Sequence, residues 1–317
     1  MSAALILSGQ TRRQTGAIAP ELGVGFDYFP SLPADMYDCH LIDFVELTPE
    51  TLCSVQRTCG RTTPVLDRAQ LDRARTTCGG MPMVVHGVEL SIGSAHGWNT
   101  AYLSILDQLQ PLWPFLWHSE HLSFQTYVNV NGDVTPIGTP LPLPMTNEAG
   151  RLVAQRCAQL LKRYRVPFLL ENPAHYLTDL PSDSDITDEC VLMNRVTCAS
   201  GCGQLLDLHN LYCNAVNHGF DPFEAVGRFA LERVVEIHVA GGRWEGGYWT
   251  DAHDSAAPVP VWELLEYTLP HCPNVAGVVF ELLEPHAVRM GADEIARNLE
   301  CVHEIWSRHA PSVRNAP

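Results

Sequence analysis

The chain has 317 residues, an ordinary apolar share and a formal net charge of −16. That charge opposes a polyanionic partner such as nucleic acid, which needs a basic stripe that is absent here. No run of about 18 apolar residues offers a membrane span, and the only lysine, Lys162, falls in a predicted outer helix, leaving Schiff-base chemistry without a candidate.

In chain order, the N-terminus lacks a basic region and a cleavage site, which predicts a cytoplasmic protein with residues 1–18 as a loose arm. The eleven cysteines are scattered and odd in number, the pattern of reduced thiols rather than of a disulfide framework. Short apolar runs then alternate with helical stretches. Strands are predicted at Val24–Phe26, Leu41–Val45, Met83–Val85, Phe115–Trp117, Pro167–Leu170, Gly203–Leu206, Val234–Ile237 and Gly277–Phe280. Their continuous apolar character suits strands buried on both faces of a parallel sheet. Helical spacing predicts helices over Trp98–Leu112, Glu148–Tyr164, Pro222–Phe229, Val259–Leu269 and Ala292–Ser307. In the last of these, Ile295, Leu299, Val302 and Trp306 form one stripe. Between strands four and five, Asn131-Gly132-Asp133 predicts a hairpin joining Tyr127–Val130 to Val134–Ile137. Eight strands alternating with helices over this length predict a single α/β domain, a (β/α)8 TIM barrel over residues 19–317.

In that architecture functional groups sit where strands end. His86 follows strand three, and His118, Glu120 and His121 follow strand four. Glu171 ends strand five, and Asp207 ends strand six with Asn210 three residues on. His238 belongs to strand seven, Asp251 and His253 to the loop beyond it, and Glu281 to the end of strand eight. One such residue is usually a cap or a loop contact, but six successive strands presenting imidazole or carboxylate at one face is a different matter. Converging carboxylates repel one another in a partly dry mouth unless cations compensate them. The donors are nitrogen and oxygen, with no cysteine at a strand end, which suits iron, manganese or zinc. There are more donors than one ion can use, so two or three ions are expected. Glu46, which ends strand two, and His209 and His218, in the loop after strand six, are the candidate catalytic residues. Each has an alternative reading: an ion pair for Glu46, loop packing for the two histidines.

The ordered set Val-His-Gly-Val-Glu-Leu-Ser-Ile-Gly-Ser, Ser-Glu-His-Leu-Ser-Phe, Glu-Asn-Pro, Asp-Leu-His-Asn-Leu-Tyr-Cys-Asn-Ala, Glu-Ile-His-Val-Ala-Gly, Asp-Ala-His and Phe-Glu-Leu resembles the multinuclear non-heme iron-dependent oxidative enzymes, relatives of the iron enzymes of methanobactin and 3-thiaglutamate biosynthesis. The resemblance runs from about Gly23 to Glu281. It implies a xylose-isomerase-like barrel with two or three irons, dioxygen as co-substrate, and a ribosomally made precursor peptide modified oxidatively, usually at cysteine. A separate partner protein that presents the peptide is implied as well. The ligands it implies are His86, Glu120 or His121, Glu171, Asp207, Asn210, His238, Asp251, His253 and Glu281. The chain departs from the family pattern at Gly242, where a His is frequent, and at His209, where an Asn is frequent. The ligand order is also similar to that of endonuclease IV, a trinuclear zinc phosphodiesterase, and the acidic charge weighs against that alternative. Sugar isomerisation and a non-catalytic metal-storing or partner-binding barrel are the remaining readings.

Overall fold

The computed structural model describes residues 19–38, 40–58 and 61–311; the expected arm over residues 1–18 lies outside them. Eight parallel strands close into a barrel in sequential order: β1 (Gly23–Asp27), β2 (Phe44–Leu47), β3 (Met83–Gly87), β4 (His118–His121), β5 (Phe168–Glu171), β6 (Gly203–Asp207), β7 (Val234–Val239) and β8 (Gly277–Phe280). β8 pairs back onto β1, Gly23 facing Gly277 and Phe26 facing Phe280, so no barrel edge is left open.

Helices α1 (Arg68–Thr77), α2 (Thr100–Leu109), α3 (Asn147–Tyr164), α4 (Glu189–Ser200), α5 (Leu208–His218), α6 (Pro222–Val226), α7 (Val259–Thr268), α8 (Glu284–Met290) and α9 (Ala292–His309) lie between and after the strands. Of these, α1, α4, α5 and α8 were not expected. On α9 the buried stripe is Ile295, Leu299, Val302 and Ile305, with Trp306 half-buried beside it. The main core lies between helices and barrel wall. A second, smaller apolar layer of Phe44, Val84, Trp117, Leu169, Leu205, Val235 and Val279 fills the barrel itself. The Phe44 ring needs bare backbone opposite it: a Cβ at Gly277 would lie 2.7 Å from the ring.

Two strands sit further along the chain than expected. β2 begins at Phe44 rather than Leu41, and β4 occupies His118–His121, past the apolar Phe115–Trp117. The apolar segment enters the bottom of the barrel, while the ladder with β3 and β5 forms on the polar residues above it. Ser119 and His121 turn into the barrel mouth, whereas His118 and Glu120 turn outward and find partners in Tyr102 and the Leu90 main chain. The expected hairpin is present but longer, pairing Ser123–Val128 with Val134–Pro142. Two further antiparallel hairpins follow β2 (Cys53–Thr58 with Arg61–Leu66) and β7 (Arg243–Glu245 with Tyr248–Thr250).

Candidate metal centre

Strand alternation builds the site. Successive residues point to opposite faces, so a residue two past an inward apolar side chain also points inward, one layer higher. Phe44 and Glu46, Val84 and His86, Leu169 and Glu171, Leu205 and Asp207, and Val279 and Glu281 are such pairs, the apolar member of each filling the barrel below. The same parity decides β4. His121 faces inward, whereas His118 and Glu120 face the helices.

His86 Nε2 and His121 Nε2 both lie 3.3 Å from Glu171 Oε2. The other nitrogen of His86 is occupied: Nδ1 is 2.9 Å from Ser119 Oγ, whose hydroxyl donates to Val85 O at 3.2 Å. Ser119 therefore accepts from Nδ1–H, and the Nε2 lone pair of His86 is left facing Glu171. Glu171, Asp207 and His238 form a second group, each offering one ligand atom within 4.8 Å of the others. His238 Nδ1 is 3.0 Å from Glu281 Oε2, and Glu281 Oε1 is 3.3 Å from His253 Nδ1. Asp251 Oδ1 lies 2.6 Å from His253 Nε2 and 2.8 Å from His209 Nδ1. Asp251, His253 and Glu281 thus extend the cluster to one side of Glu171. His253 itself adopts φ 48°, in the left-handed region, and its carbonyl accepts from Leu283 N–H at 3.2 Å. A non-glycine residue held there by its surroundings is a mark of functional constraint.

The electrostatics are those of a site short of positive charge. Burial, then Asp207, pushes Glu171 well above the usual carboxylate range. Burial, then Asp251 and Glu281, pushes Asp207 up to about 7. Burial, then His121 and His238, holds His86 well below the usual imidazole range, as a neutral ligand must be. Burial opposes a charge on His238, but Glu46 and Glu281 outweigh it and hold its pKa well above the usual value. Glu171 Oε2, His86 Nε2, Asp207 Oδ2 and His238 Nε2 are buried without a well-directed hydrogen-bond partner. Leaving so many buried donors and acceptors unmatched costs about 1–3 kcal/mol for each. Donor pairs near 3.3 Å match the roughly 3.0–3.4 Å expected between ligands each about 2.1 Å from a shared ion. The residues fit divalent metal.

Several expected residues take other places. Glu120 is not in the cluster: its Oε1 accepts from Leu90 N–H at 3.0 Å and it stands beside Tyr102, on the outer face of β4. His118 is likewise outside, 3.1 Å from Tyr102 Oη. Asn210 turns its amide N–H groups to Glu171 Oε1 at 3.0 Å and Asn172 O at 3.1 Å, so the contact it makes is one that orients Glu171. His209 and His218 lie on helix α5, capped by Asp207 Oδ1, rather than in a loop. His218 is at the far end of that helix, about 13 Å along its axis from His209 at 1.5 Å per residue. It stacks on His175, 4.5 Å between centroids, and lines a separate cavity of about 710 Å³ beside α4 and α6. His218→Gln is therefore expected to leave metal content and turnover within about twofold of wild type, measured on the purified protein; a tenfold loss of either would return His218 to the site.

The sequence reading gave no supporting role to three groups beside the ligands, Glu236, Asn172 and Cys213, and Glu46, which it did name, stands with them. Glu236 lies below His238, its Oε2 accepting from Trp117 Nε1–H at 2.8 Å, and Glu46 Oε1 lies 3.3 Å from His238 Nε2. Asn172 fixes the Asp207 backbone with two hydrogen bonds of 2.9 Å. Cys213 is buried 3.7 Å from His209 Nε2, so one thiol does adjoin the cluster although none sits at a strand end.

A closed parallel barrel whose mouth gathers imidazoles and carboxylates around one shared glutamate defines the class: a TIM barrel of the xylose-isomerase-like kind with clusters that fit metal. The chain belongs to the family described as RiPP precursor modification enzyme MbnB/TglH/ChrH, whose model matches residues 22–293. A UPF0276 protein of Caulobacter vibrioides is 34% identical over 226 residues, 71% of this chain and 74% of that protein. A UPF0276 protein of Pasteurella multocida is 29% identical over 319 residues, 91% of this chain and 95% of that one. Among solved structures, the IOLI protein with a bound zinc atom aligns with a TM-score of 0.53 at 12% identity, over 90% of this chain and 99% of that one. A xylose isomerase domain protein from Alicyclobacillus acidocaldarius aligns at 0.50 and 14% identity, over 93% and 99%. At those identities the likeness shows the fold alone. Among the described residues no helix is long and apolar enough to cross a membrane.

Proposed function

We propose that this chain is a multinuclear iron enzyme that uses dioxygen to modify oxidatively a residue, cysteine in the leading reading, of a ribosomally made precursor peptide brought by a separate partner protein. The observation that carries the reading is Glu171, a buried carboxylate with two imidazole nitrogens converging on one oxygen and with Asp207 and His238 in a second ligand group around it. His86, His121 and Glu171 would hold one ion. Glu171, Asp207, His238 and Glu281 would hold a second, and Asp251 with His253 a third. Iron held there would supply dioxygen activation and would take a soft substrate donor, a type that the nitrogen and oxygen ligands of the chain do not offer.

The protein's own contribution is geometric. Ser119 fixes the tautomer of His86, Asn210 and Asn172 hold Glu171 and Asp207, and Glu46 faces the outer nitrogen of His238. Exposed aromatics at the rim, Tyr176, Trp244 and Tyr248, offer a peptide a surface next to Asp251, whose main-chain N–H donates to Tyr176 Oη at 3.0 Å. The test is anaerobic purification with metal analysis, then mass spectrometry of a co-expressed precursor in the presence and absence of dioxygen. Iron in at least two equivalents and a dioxygen-dependent mass change are expected. Stoichiometric zinc with an unmodified peptide, or modification that survives strict anaerobiosis, would overturn the proposal.

A further inference from the structure

His209 is fully buried in the first turn of α5, and both its ring nitrogens are engaged. Nδ1 lies 2.8 Å from Asp251 Oδ1, and Nε2 lies 3.2 Å from Trp249 Nε1. An indole N–H can only donate. Nε2 therefore accepts, the ring proton sits on Nδ1, and Nδ1–H donates to Asp251. Neither nitrogen keeps a lone pair for an ion, so His209 acts on the centre only through the Asp251 carboxylate. The Cys213 thiol, at 3.7 and 3.9 Å from the two nitrogens, does not alter that assignment.

Trp249 belongs to the Arg243–Glu245/Tyr248–Thr250 hairpin after β7, and that hairpin is seated on α5. Asn217 donates from Nδ2 to Trp249 O at 2.8 Å and accepts from Trp249 N–H at 2.9 Å. Tyr212 and Trp244 meet the Trp249 ring edge-on at 5.8 and 5.9 Å. The imidazole also needs the bare backbone of Gly242: a Cβ there would lie 2.9 Å from His209 Cε1 and 3.0 Å from Nε2. Gly242 and His209 are therefore neighbours, and a larger residue at 242 would displace the ring.

We propose that Trp249 and His209 are a positioning pair through which the rim hairpin orients Asp251 in the metal centre. The inference rests on the reading that Asp251 and His253 hold an ion, and it assigns to the hairpin a part in building that site rather than only in covering it. Supporting carboxylate and imidazole partners of metal ligands typically govern 10–100-fold in affinity.

The test uses full-length protein loaded with cobalt(II), whose visible absorption reports coordination geometry, with affinities from chelator competition. Trp249→Phe keeps an aromatic ring on the hairpin but removes the Nε1–H donor together with the five-membered part of the indole. It is expected to weaken one class of bound ion about tenfold and change the cobalt spectrum, with the remaining ions held as in wild type. His209→Ala is expected to weaken the same ion at least tenfold, and the double variant to be no weaker than His209→Ala alone, because both substitutions break one chain of contacts. Circular dichroism matching wild type excludes misfolding for Trp249→Phe, the milder variant. An unchanged spectrum and affinity in Trp249→Phe, or effects of the two substitutions that simply add, would overturn the pair while leaving the metal reading intact. Wild type that takes up no cobalt would overturn both.

Discussion

Replacing Glu171 by glutamine is expected to reduce the bound metal to at most one equivalent and the rate of peptide modification by at least about 1000-fold. Glu171 is shared by the two ligand groups, one with His86 and His121 and one with Asp207 and His238. Its Oε2 meets His86 and His121, its Oε1 accepts from Asn210, and it shares a ligand group with Asp207 and His238. Glutamine keeps the shape but removes the charge and one acceptor, so both ligand groups would lose the carboxylate they share. A 1000-fold loss corresponds to about 4 kcal/mol of transition-state stabilisation. Metal analysis and product mass spectrometry read the two effects separately. Two tightly held ions in Glu171→Gln would remove the shared glutamate from the account.

The second large effect is on stability, and its sign follows from the buried titrating groups. In the metal-free protein burial, then Glu281, pushes Asp27 up to about 8. Burial pushes Glu171 well above the usual range, and Glu46 and Glu281 hold His238 protonated well above its usual value against the pull of burial. Above pH 7 the native metal-free state therefore binds more protons than the unfolded chain, and its stability falls as pH rises from about 7 to 9. His86, His118 and His121 are depressed and so act in the opposite sense, but only below the usual imidazole value, where the unfolded chain takes up their protons. Metal replaces protons at these sites, and its affinity rises with pH. At about 1000 times its Kd a bound ion adds about 4 kcal/mol, or roughly 10 °C at the 2–4 °C per kcal/mol of larger domains. The melting-temperature gain on adding metal is expected to reach that size at pH 8 and to be visibly smaller at pH 6.5, by scanning calorimetry with and without chelator. A gain that is flat or shrinks with pH would contradict the assignment of these groups.

How much of this was visible in the residues can be judged from particular cases. The barrel was legible because eight apolar runs alternate with helical stretches, and each run has few competing interpretations. The ligand face was legible because His86, Glu171, Asp207 and Glu281 each follow an apolar strand directly. The choice between Glu120 and His121 was not settled, since it depends on β4 starting at His118, and local apolarity placed that strand one segment too early. Parity against Glu171 in β5, which pairs with His121, is the signal that resolves it. Glu236 carried a signal that was overlooked: a carboxylate two residues before His238 inside an otherwise apolar strand. The Trp117 contact to Glu236 spans 119 residues, and the Trp249 contact to His209 forms only when a loop hairpin folds back on α5. Neither leaves a mark in spacing or composition. The helix of His209 and His218 does carry a signal, the Asp207 cap followed by Leu208, Leu211 and Ala215 at helical intervals, but it starts directly at a strand end, where a loop is the ordinary expectation.

The order of the barrel strands gives the cluster a history as well as a shape. The first four strands bring His86 and His121, imidazoles that burial keeps uncharged. The carboxylates that surround them at the mouth, Glu171, Asp207, Asp251 and Glu281, all arrive with the second half of the chain. The early strands also bring Asp27 and Glu46, whose buried carboxyls are pushed above the usual range, while the ligand carboxylates of the late strands carry the mutual repulsion. Cations held at the mouth would then join side chains from both halves of a ring whose backbone is closed by the β4–β5 and β8–β1 ladders.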